Sequence, residues 1–239
     1  MRRLKKIGLL AMALACAGLI APVAGAATID TFAGDFQQVS DSTSDNVAVT
    51  SVYDSSLAPD AIGGYRELYV NRDAGVPGFT SLTVDGGVAF SNNNPVVGML
   101  NYGVAHITWD GTANIAGPAP ITEYALGEDF TAWSQFHIVT PGNLLNDSMV
   151  SVELWDSSGS YSGPVSWTLA NNTANHYLSF SNFAGFDFAN VGAIRLNFLT
   201  DNVYITSFGV VPVPPAVGLG LLGMMVVGGL RRRKKASAA

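Results

Sequence analysis

Apolar and polar residues alternate through much of the segment from Ala27 to Val211, and this period of two limits the fold most. Side chains along a β-strand point to alternate sides of a sheet, so such alternation is typical of strands with one buried face. It is clearest in residues 150–155, 165–169 and 193–198. Similar runs occur at 47–53, 64–70, 81–90, 104–109, 135–139, 177–180 and 203–210. The pattern predicts an all-β fold, an antiparallel, jelly-roll-like β-sandwich of about ten strands.

The turn motifs and the aromatic content of residues 27–211 support the prediction that this segment is one sandwich domain. Asp85-Gly86-Gly87 between two apolar runs predicts a tight hairpin. Most acidic residues adjoin Ser, Asn or Gly, where Asp stabilises turns through its own backbone. All 12 Phe, 8 Tyr and 4 Trp lie within 27–211, enough for a substantial core. The absence of a fixed sequence repeat argues against a propeller or β-helix.

The charge of this segment excludes several classes of function. All 18 acidic residues lie in 27–211, whereas Arg66, Arg72 and Arg195 are its only basic residues, so its formal charge is −15. Nucleic acids and anionic lipid surfaces would be repelled, which argues against either as a partner. Without a lysine, the segment also lacks Schiff-base and P-loop chemistry.

The N-terminus predicts export. Residues 1–26 combine a basic start, an apolar run and the small residues Ala24 and Ala26, which indicates a signal peptide cleaved by signal peptidase before Ala27. Cys16, the only cysteine, lies inside this peptide, so the mature chain would have no thiol or disulfide. The alternatives are an uncleaved membrane anchor, a buried helix, and a lipid attached at Cys16.

The C-terminus predicts a three-part tail over residues 212–235. It begins with the prolines of 212–215, continues with the uncharged run 216–230, and ends with the basic cluster 231–235. The cluster comprises Arg231, Arg232, Arg233, Lys234 and Lys235. The uncharged run is near the shortest helix that spans a bilayer, and the basic residues would stay on the cytoplasmic side. This topology places residues 27–211 outside the inner membrane.

The sequence Pro212-Val213-Pro214, the Gly/Leu-rich run and the basic end resemble the PEP-CTERM sorting signal of exported bacterial proteins. The resemblance implies recognition by an exosortase, processing of an inner-membrane intermediate, and display at the cell surface with extracellular polysaccharide or biofilm matrix. Val213 stands where the family usually has Glu. This difference affects which sorting enzyme would act and whether the tail is cleaved. The alternative is a plain single-pass anchor.

Residues 62–67, 107–111 and 183–196 resemble ectodomains often attached to such tails, and the last of these stretches is loosely similar to the closing strands of galactose-binding-like jelly-roll carbohydrate modules. Such modules often hold a structural Ca²⁺ between the first and last strands, which here would implicate Asp30 or Asp35 together with Asp201. Acidic loops do supply the oxygen ligands that Ca²⁺ prefers.

Aromatic side chains on a sheet surface are the expected platform for a glycan. Trp155 has the parity opposite to Val152 and Leu154, so it should point away from the core. Tyr65 and Tyr69 share a strand face. These three aromatic residues are the predicted glycan-binding candidates.

No catalytic motif is evident. His106, His137 and His176 lack metal-ligand spacing, and the first two are expected to be hydrogen-bonded or surface strand residues. Acidic pairs such as Glu128 with Asp129, or Glu153 with Asp156, leave a glycosidase open as the alternative. The sequence therefore predicts a non-enzymatic, surface-sorted matrix protein with carbohydrate as its candidate ligand, and a membrane-held secreted hydrolase is the alternative.

Overall fold

The computed structural model describes residues 25–43, 45, 47–72, 78–95, 103–113, 121, 123–142, 147–200 and 202–212. These residues contain fourteen strands and two short 3-10 turns, Ile62–Gly64 and Phe180–Asn182. The strands are β1 (Ala27–Asp30), β2 (Gln37–Asp41), β3 (Val49–Asp54), β4 (Tyr65–Asn71), β5 (Gly78–Asp85), β6 (Val88–Pro95), β7 (Val104–Trp109), β8 (Gln135–Val139), β9 (Ser148–Asp156), β10 (Val165–Leu169), β11 (Asn175–Ser179), β12 (Val191–Phe198), β13 (Val203–Ile205) and β14 (Ser207–Val211).

The strands form two layers. One layer is a six-stranded sheet in the order β10-β9-β12-β7-β4-β3. The other consists of two four-stranded sheets, β1-β14-β8-β11 and β13-β6-β5-β2, which adjoin because β14 follows β13 after the single residue Thr206. Every strand pairing is antiparallel. The predicted antiparallel β-sandwich is therefore confirmed.

The core lies between the layers and is built from the alternating apolar positions. Leu68, Ile107, Leu154 and Leu196 of the six-stranded sheet belong to one cluster with apolar residues of both four-stranded sheets. Trp109 and Phe208 meet across the layers with ring centroids 5.6 Å apart. Burying this apolar surface is the main favourable contribution to folding.

The predicted hairpin is present. Asp85 pairs with Val88, so Gly86 and Gly87 form a two-residue loop with φ values of 54° and 83°. Positive φ at both positions is what this tight turn requires, and glycine adopts it without the clash of a Cβ. The turn also fixes the register of β5 and β6.

Strands β1 and β2 are not among the predicted runs. In β1 the buried residues Ile29 and Asp30 are adjacent, so they do not alternate, and in β2 two of the three buried positions are polar. Gln37 and Asp41 of β2 are 0% and 1% exposed, with Val39 as the only apolar residue of the strand. Gln37 is held by Arg66, whose Nε donates to Gln37 Oε1 at 2.9 Å. Hydrophobic periodicity does not detect a strand that is buried by hydrogen bonds.

Both predicted terminal segments fall mostly outside the described residues. The part of the signal peptide before Gly25 does so, as does the chain from Val213 onward, including the predicted membrane span 216–230. Within the described ranges, no helix is long and apolar enough to cross a membrane. Cleavage after Ala26 would leave β1 whole but remove the Gly25 carbonyl, which accepts a 2.7 Å hydrogen bond from Trp133 Nε1.

Candidate functional site

The six-stranded sheet has a second face, opposite the core, that is polar and largely buried. One row of side chains on this face crosses four neighbouring strands. It consists of Glu153, Arg195, Thr108 and Glu67, and each of these residues is paired with the next across adjacent strands. The next row runs as Ser151, Asn197, His106 and Tyr69. Residues opposite each other in adjacent strands point to the same side. These eight side chains are called the polar face.

Arg195 lies in the first row, between Glu153 and Thr108. Its Nη1 lies 3.8 Å from Glu153 Oε2, and its Nε donates to Thr108 Oγ1 at 3.4 Å. Burial lowers the pKa of this guanidinium, and the nearby Glu153 opposes that change. The nitrogen Nη2 is buried and has no hydrogen-bond partner among the described residues. A buried donor of this kind is costly unless something accepts from it.

His106 lies in the second row, between Asn197 and Tyr69. Its ring stacks on Tyr69, with centroids 4.4 Å apart and an interplanar angle of 5°. The side chain is 2% exposed, and within the described ranges neither ring nitrogen has a hydrogen-bond partner. The expectation of a hydrogen-bonded or surface histidine is therefore not met. A neutral imidazole offers one donor and one acceptor here.

His106 predicts a specific pH dependence of stability. Burial holds its pKa well below the usual range, so it stays neutral in the fold. Below about pH 6.5 the unfolded chain binds a proton at this side chain and the folded chain does not, so acidification favours unfolding. Between pH 7 and pH 5, urea denaturation should show that the wild type loses about 2 kcal/mol more than His106→Phe. Equal losses in the two proteins would contradict this account.

The three predicted aromatic candidates all lie on this side of the sheet, but two are not open platforms. Tyr69 is 2% exposed and covered by the His106 stack, and Trp155 is 4% exposed. Trp155 points away from the main core, as its parity predicts, yet it packs in a second cluster with Ile121 and Ala193. Only Tyr65 is half-buried. The expectation of exposed rings is thus wrong for Tyr69 and Trp155.

Tyr161, which was not among the predicted glycan-binding candidates, packs against Trp155. It is half exposed, stacks on Trp155 with centroids 4.9 Å apart, and donates to Glu153 Oε1 at 2.7 Å. Burial and this hydrogen bond to a carboxylate raise the pKa of the Tyr161 hydroxyl. Arg195 lies 5.3 Å from the centre of the Trp155 ring, a cation–π distance. No pattern in the sequence joins Tyr161 to these residues, because it follows a turn after β9.

Gly192 allows the segment around Tyr124 to pack against the cluster that contains Trp155. Leu126 N donates to Gly192 O at 3.0 Å, and a Cβ at Gly192 would come within 2.7 Å of Tyr124 Cβ. Gly192→Ala should therefore lower the free energy of unfolding by about 1 to 3 kcal/mol, the usual cost of overpacking. Urea denaturation measures this change, and an unaltered unfolding midpoint would show that the segment is not packed so closely.

Two of the three predicted calcium ligands, Asp30 and Asp35, lie among the described residues, and their surroundings differ. Asp30 is fully buried, and its carboxylate is engaged by Arg66, Phe32 N and Trp109 Nε1. Asp35 is exposed, and Asp201 lies outside the described residues. Over the described ranges, no group of three or more His, Cys, Asp or Glu residues could hold a metal ion. The calcium site is predicted from the resemblance to jelly-roll modules, which does not reveal that Arg66, 36 positions away in the chain, contacts the Asp30 carboxylate.

The acidic pairs named for a glycosidase contain turn residues. Asp129 accepts hydrogen bonds from Thr131, and Asp156 accepts them from Ser158 and Ser160. These hydrogen bonds lower the pKa of both carboxyl groups, with the serine or threonine hydroxyl contributing most. A general acid requires the opposite change. Asp129 and Asp156 are therefore poorly suited to that role.

Comparison with protein-family models and with curated proteins finds no match. Among solved structures, one similar chain is the family 11 carbohydrate-binding module of the cellulosomal cellulase Lic26A-Cel5E of Clostridium thermocellum. It is 10% identical, covers 79% of this chain and 95% of the module, and has a TM-score of 0.36. Another is the enzymatically active domain of tailspike protein 4 of bacteriophage CBA120, 11% identical over 74% of this chain and 19% of that one, with a TM-score of 0.29. Scores this low identify neither a shared fold nor a shared function.

Proposed function

We propose that this protein is an exported, non-enzymatic carbohydrate-binding protein and that the polar face is its sugar site. The observation that supports this most is that both ring nitrogens of His106 and the Nη2 of Arg195 have no partner among the described residues. Because these side chains are 2% and 6% exposed, a sugar reaches them only when the cover of the polar face opens. Sugar hydroxyls both donate and accept hydrogen bonds. One hydroxyl group can therefore satisfy an imidazole nitrogen while a neighbour accepts from the guanidinium.

The form of recognition differs from the stacking platform expected from the sequence. Tyr69 and Trp155 are covered, so they orient His106 and Arg195 rather than present open rings. Asn197 and Glu153 are half-buried and Tyr161 is exposed, which puts polar contacts at the margin of the face. The sugar is therefore held mainly by hydrogen bonds, with Tyr161 as the accessible ring.

Charge selects a neutral glycan. The polar face has two carboxylates, Glu67 and Glu153, against one guanidinium, Arg195. The segment 27–211 as a whole has a formal charge of −15. A uronic-acid or sulfated polymer would be repelled over distances of about 10 Å at ordinary ionic strength.

Isothermal titration against defined polysaccharides tests the proposal. The neutral probes are soluble galactomannan, mixed-linkage β-glucan and dextran, and the acidic probes are alginate and polygalacturonate. At least one neutral probe should bind saturably, and the acidic probes should bind more weakly. The absence of saturable binding to all neutral probes, or preference for an acidic one, would overturn the proposal.

Export and sorting by the tail are a separate part of the proposal. The fold ends close to the sorting motif: β14 ends at Val211, and Ser134 N donates to Val211 O at 3.2 Å. Processing that preserves this strand has to cut after Val211. Intact mass of the protein from its native membrane should therefore give a C-terminus near Pro212. Retention of Arg231 to Ala239 would reduce the tail to an anchor.

A hydrolase is the second candidate, and one carboxyl group favours it. Asp110 directly follows β7 and is 1% exposed, and burial raises its pKa, although hydrogen bonds from Thr112 N and Oγ1 oppose the rise. Release of reducing sugar from the galactomannan and β-glucan probes, abolished by Asp110→Asn, would establish hydrolysis. Binding without release would exclude hydrolysis of these polymers.

A further inference from the structure

The outer face of the sheet β1-β14-β8-β11 has an exposed aromatic pair. This face lies on the opposite side of the sandwich from the polar face, because each faces away from the shared core. Tyr177 of β11 is directly opposite His137 of β8 and is 54% exposed. The two rings stack with centroids 4.8 Å apart and an interplanar angle of 13°. Together they form a flat surface, called here the tyrosine shelf.

A groove runs beside the tyrosine shelf. It has a volume of about 490 Å³, and the described residues that line it are Gln135, Tyr177, Val211 and Pro212. In the same sheet, Gly209 is paired with His137, so no side chain projects beside the histidine on that strand. His137 is fixed from the other side, because its Nε2 lies 2.9 Å from Asn175 Oδ1. The ring surface is therefore both accessible and held in position.

The chemistry of this face fits an uncharged polar ligand. The outward positions of β8, β11 and β14 contain no Asp, Glu, Lys or Arg, although the segment 27–211 has 18 acidic residues. These positions are Gln135, His137, Val139, Asn175, Tyr177, Ser179, Ser207, Gly209 and Val211. An aromatic ring receives the apolar face of a sugar, and side-chain amides both donate to and accept from its hydroxyls.

We propose that the tyrosine shelf and its groove form a second binding site for neutral carbohydrate. A pyranose ring stacks on Tyr177, and its hydroxyls bond to the side-chain amides of Gln135 and Asn175. The ligand class rests on the proposed function, whereas the site itself is independent of the polar face. Two sites on opposite sides make the protein bivalent, so that one molecule joins two polysaccharide chains and gains avidity on a single long one.

The three histidines allow binding at the two sites to be followed separately in one NMR spectrum. His106 lies in the polar face and His137 in the tyrosine shelf. His176 points inward from β11, is 6% exposed, and lies 3.3 Å from Thr140 Oγ1 through Nε2, so it is the internal control. The probe is a hexasaccharide prepared from the neutral polysaccharide that binds most tightly in the titration panel. Its addition should shift the imidazole NMR signals of His106 and His137 but not that of His176.

Variants test the assignment. Tyr177→Ala should reduce the calorimetric stoichiometry from two hexasaccharides to one and abolish the shift of His137. Tyr204→Ala is the matched control: Tyr204 is also an exposed stacked tyrosine, on Phe90 of the neighbouring sheet, and its loss should leave two sites. Wild-type protein should also precipitate the parent polysaccharide, and Tyr177→Ala should not.

The possible results separate this proposal from the proposed function. If the His106 signal shifts while that of His137 does not, and Tyr177→Ala leaves the stoichiometry unchanged, the second site is refuted and the polar face stands. If only His137 responds, the tyrosine shelf stands and the polar face is refuted. If neither responds, both sites are refuted.

Discussion

Replacing Arg66 with methionine is expected to lower the free energy of unfolding by about 3 to 5 kcal/mol, the usual cost of breaking a buried ion pair. Arg66 Nη1 lies 3.3 Å from Asp30 Oδ1, and both side chains are completely buried. Asp30 also accepts hydrogen bonds from Phe32 N at 2.6 Å and Trp109 Nε1 at 3.0 Å. Burial raises the pKa of Asp30, and the Arg66 charge opposes this. Without Arg66, a buried carboxylate would remain uncompensated.

A double-mutant cycle separates the pair from general loss of packing. Urea denaturation of Arg66→Met, Asp30→Asn and the double variant gives the three changes. The double variant should lose clearly less than the sum of the single losses, because neither partner is left charged and alone. Loss of less than about 1 kcal/mol in Arg66→Met would contradict the importance of this pair.

Replacing Arg195 with methionine is expected to weaken binding of the neutral hexasaccharide at the polar face by about 10- to 150-fold. Hydrogen bonds to charged groups contribute about 1.5 to 3 kcal/mol, and each 1.4 kcal/mol is tenfold in affinity. The loss should be accompanied by disappearance of the His106 shift, since both side chains serve one ligand. Calorimetry measures the affinity and NMR the shift.

Arg72→Met is the matched control for that variant. Arg72 is also 6% exposed and lies at the end of β4 with the parity of the core-facing Leu68 and Val70. Its Nη1 donates to Gly78 O, away from the polar face. Removing it should affect stability but leave sugar affinity unchanged. If Arg195→Met remains folded and binds as tightly as the wild type, Arg195 is not part of a sugar site.

The sequence predicts much of the fold because one physical rule covers most strands. Residues 104–109, 135–139 and 165–169 are predicted with the bounds that β7, β8 and β10 have in the structure. In these strands the core-facing positions are apolar, and alternation identifies them. The rule fails at β2, where Gln37 and Asp41 are buried through polar contacts with residues distant in the chain.

The polar face is predictable only in part, for a related reason. Parity correctly places Tyr65, Tyr69 and Trp155 off the core. It does not reveal that both faces of β12 are buried, with Arg195 only 6% exposed. The arrangement of Arg195, His106 and Glu153 depends on the strand order β9-β12-β7-β4. That order requires pairings between residues about 40 to 90 positions apart, which a single sequence does not specify.

The most direct test of the carbohydrate site is the imidazole NMR signal of His106 during titration with the neutral hexasaccharide. Only three histidines contribute to this region of the spectrum, and His106 alone lies in the polar face. The account predicts a saturable shift of the His106 signal, with the dissociation constant of the Arg195-dependent calorimetric site and with His176 unmoved. A His106 signal that stays in place while the hexasaccharide binds would contradict it.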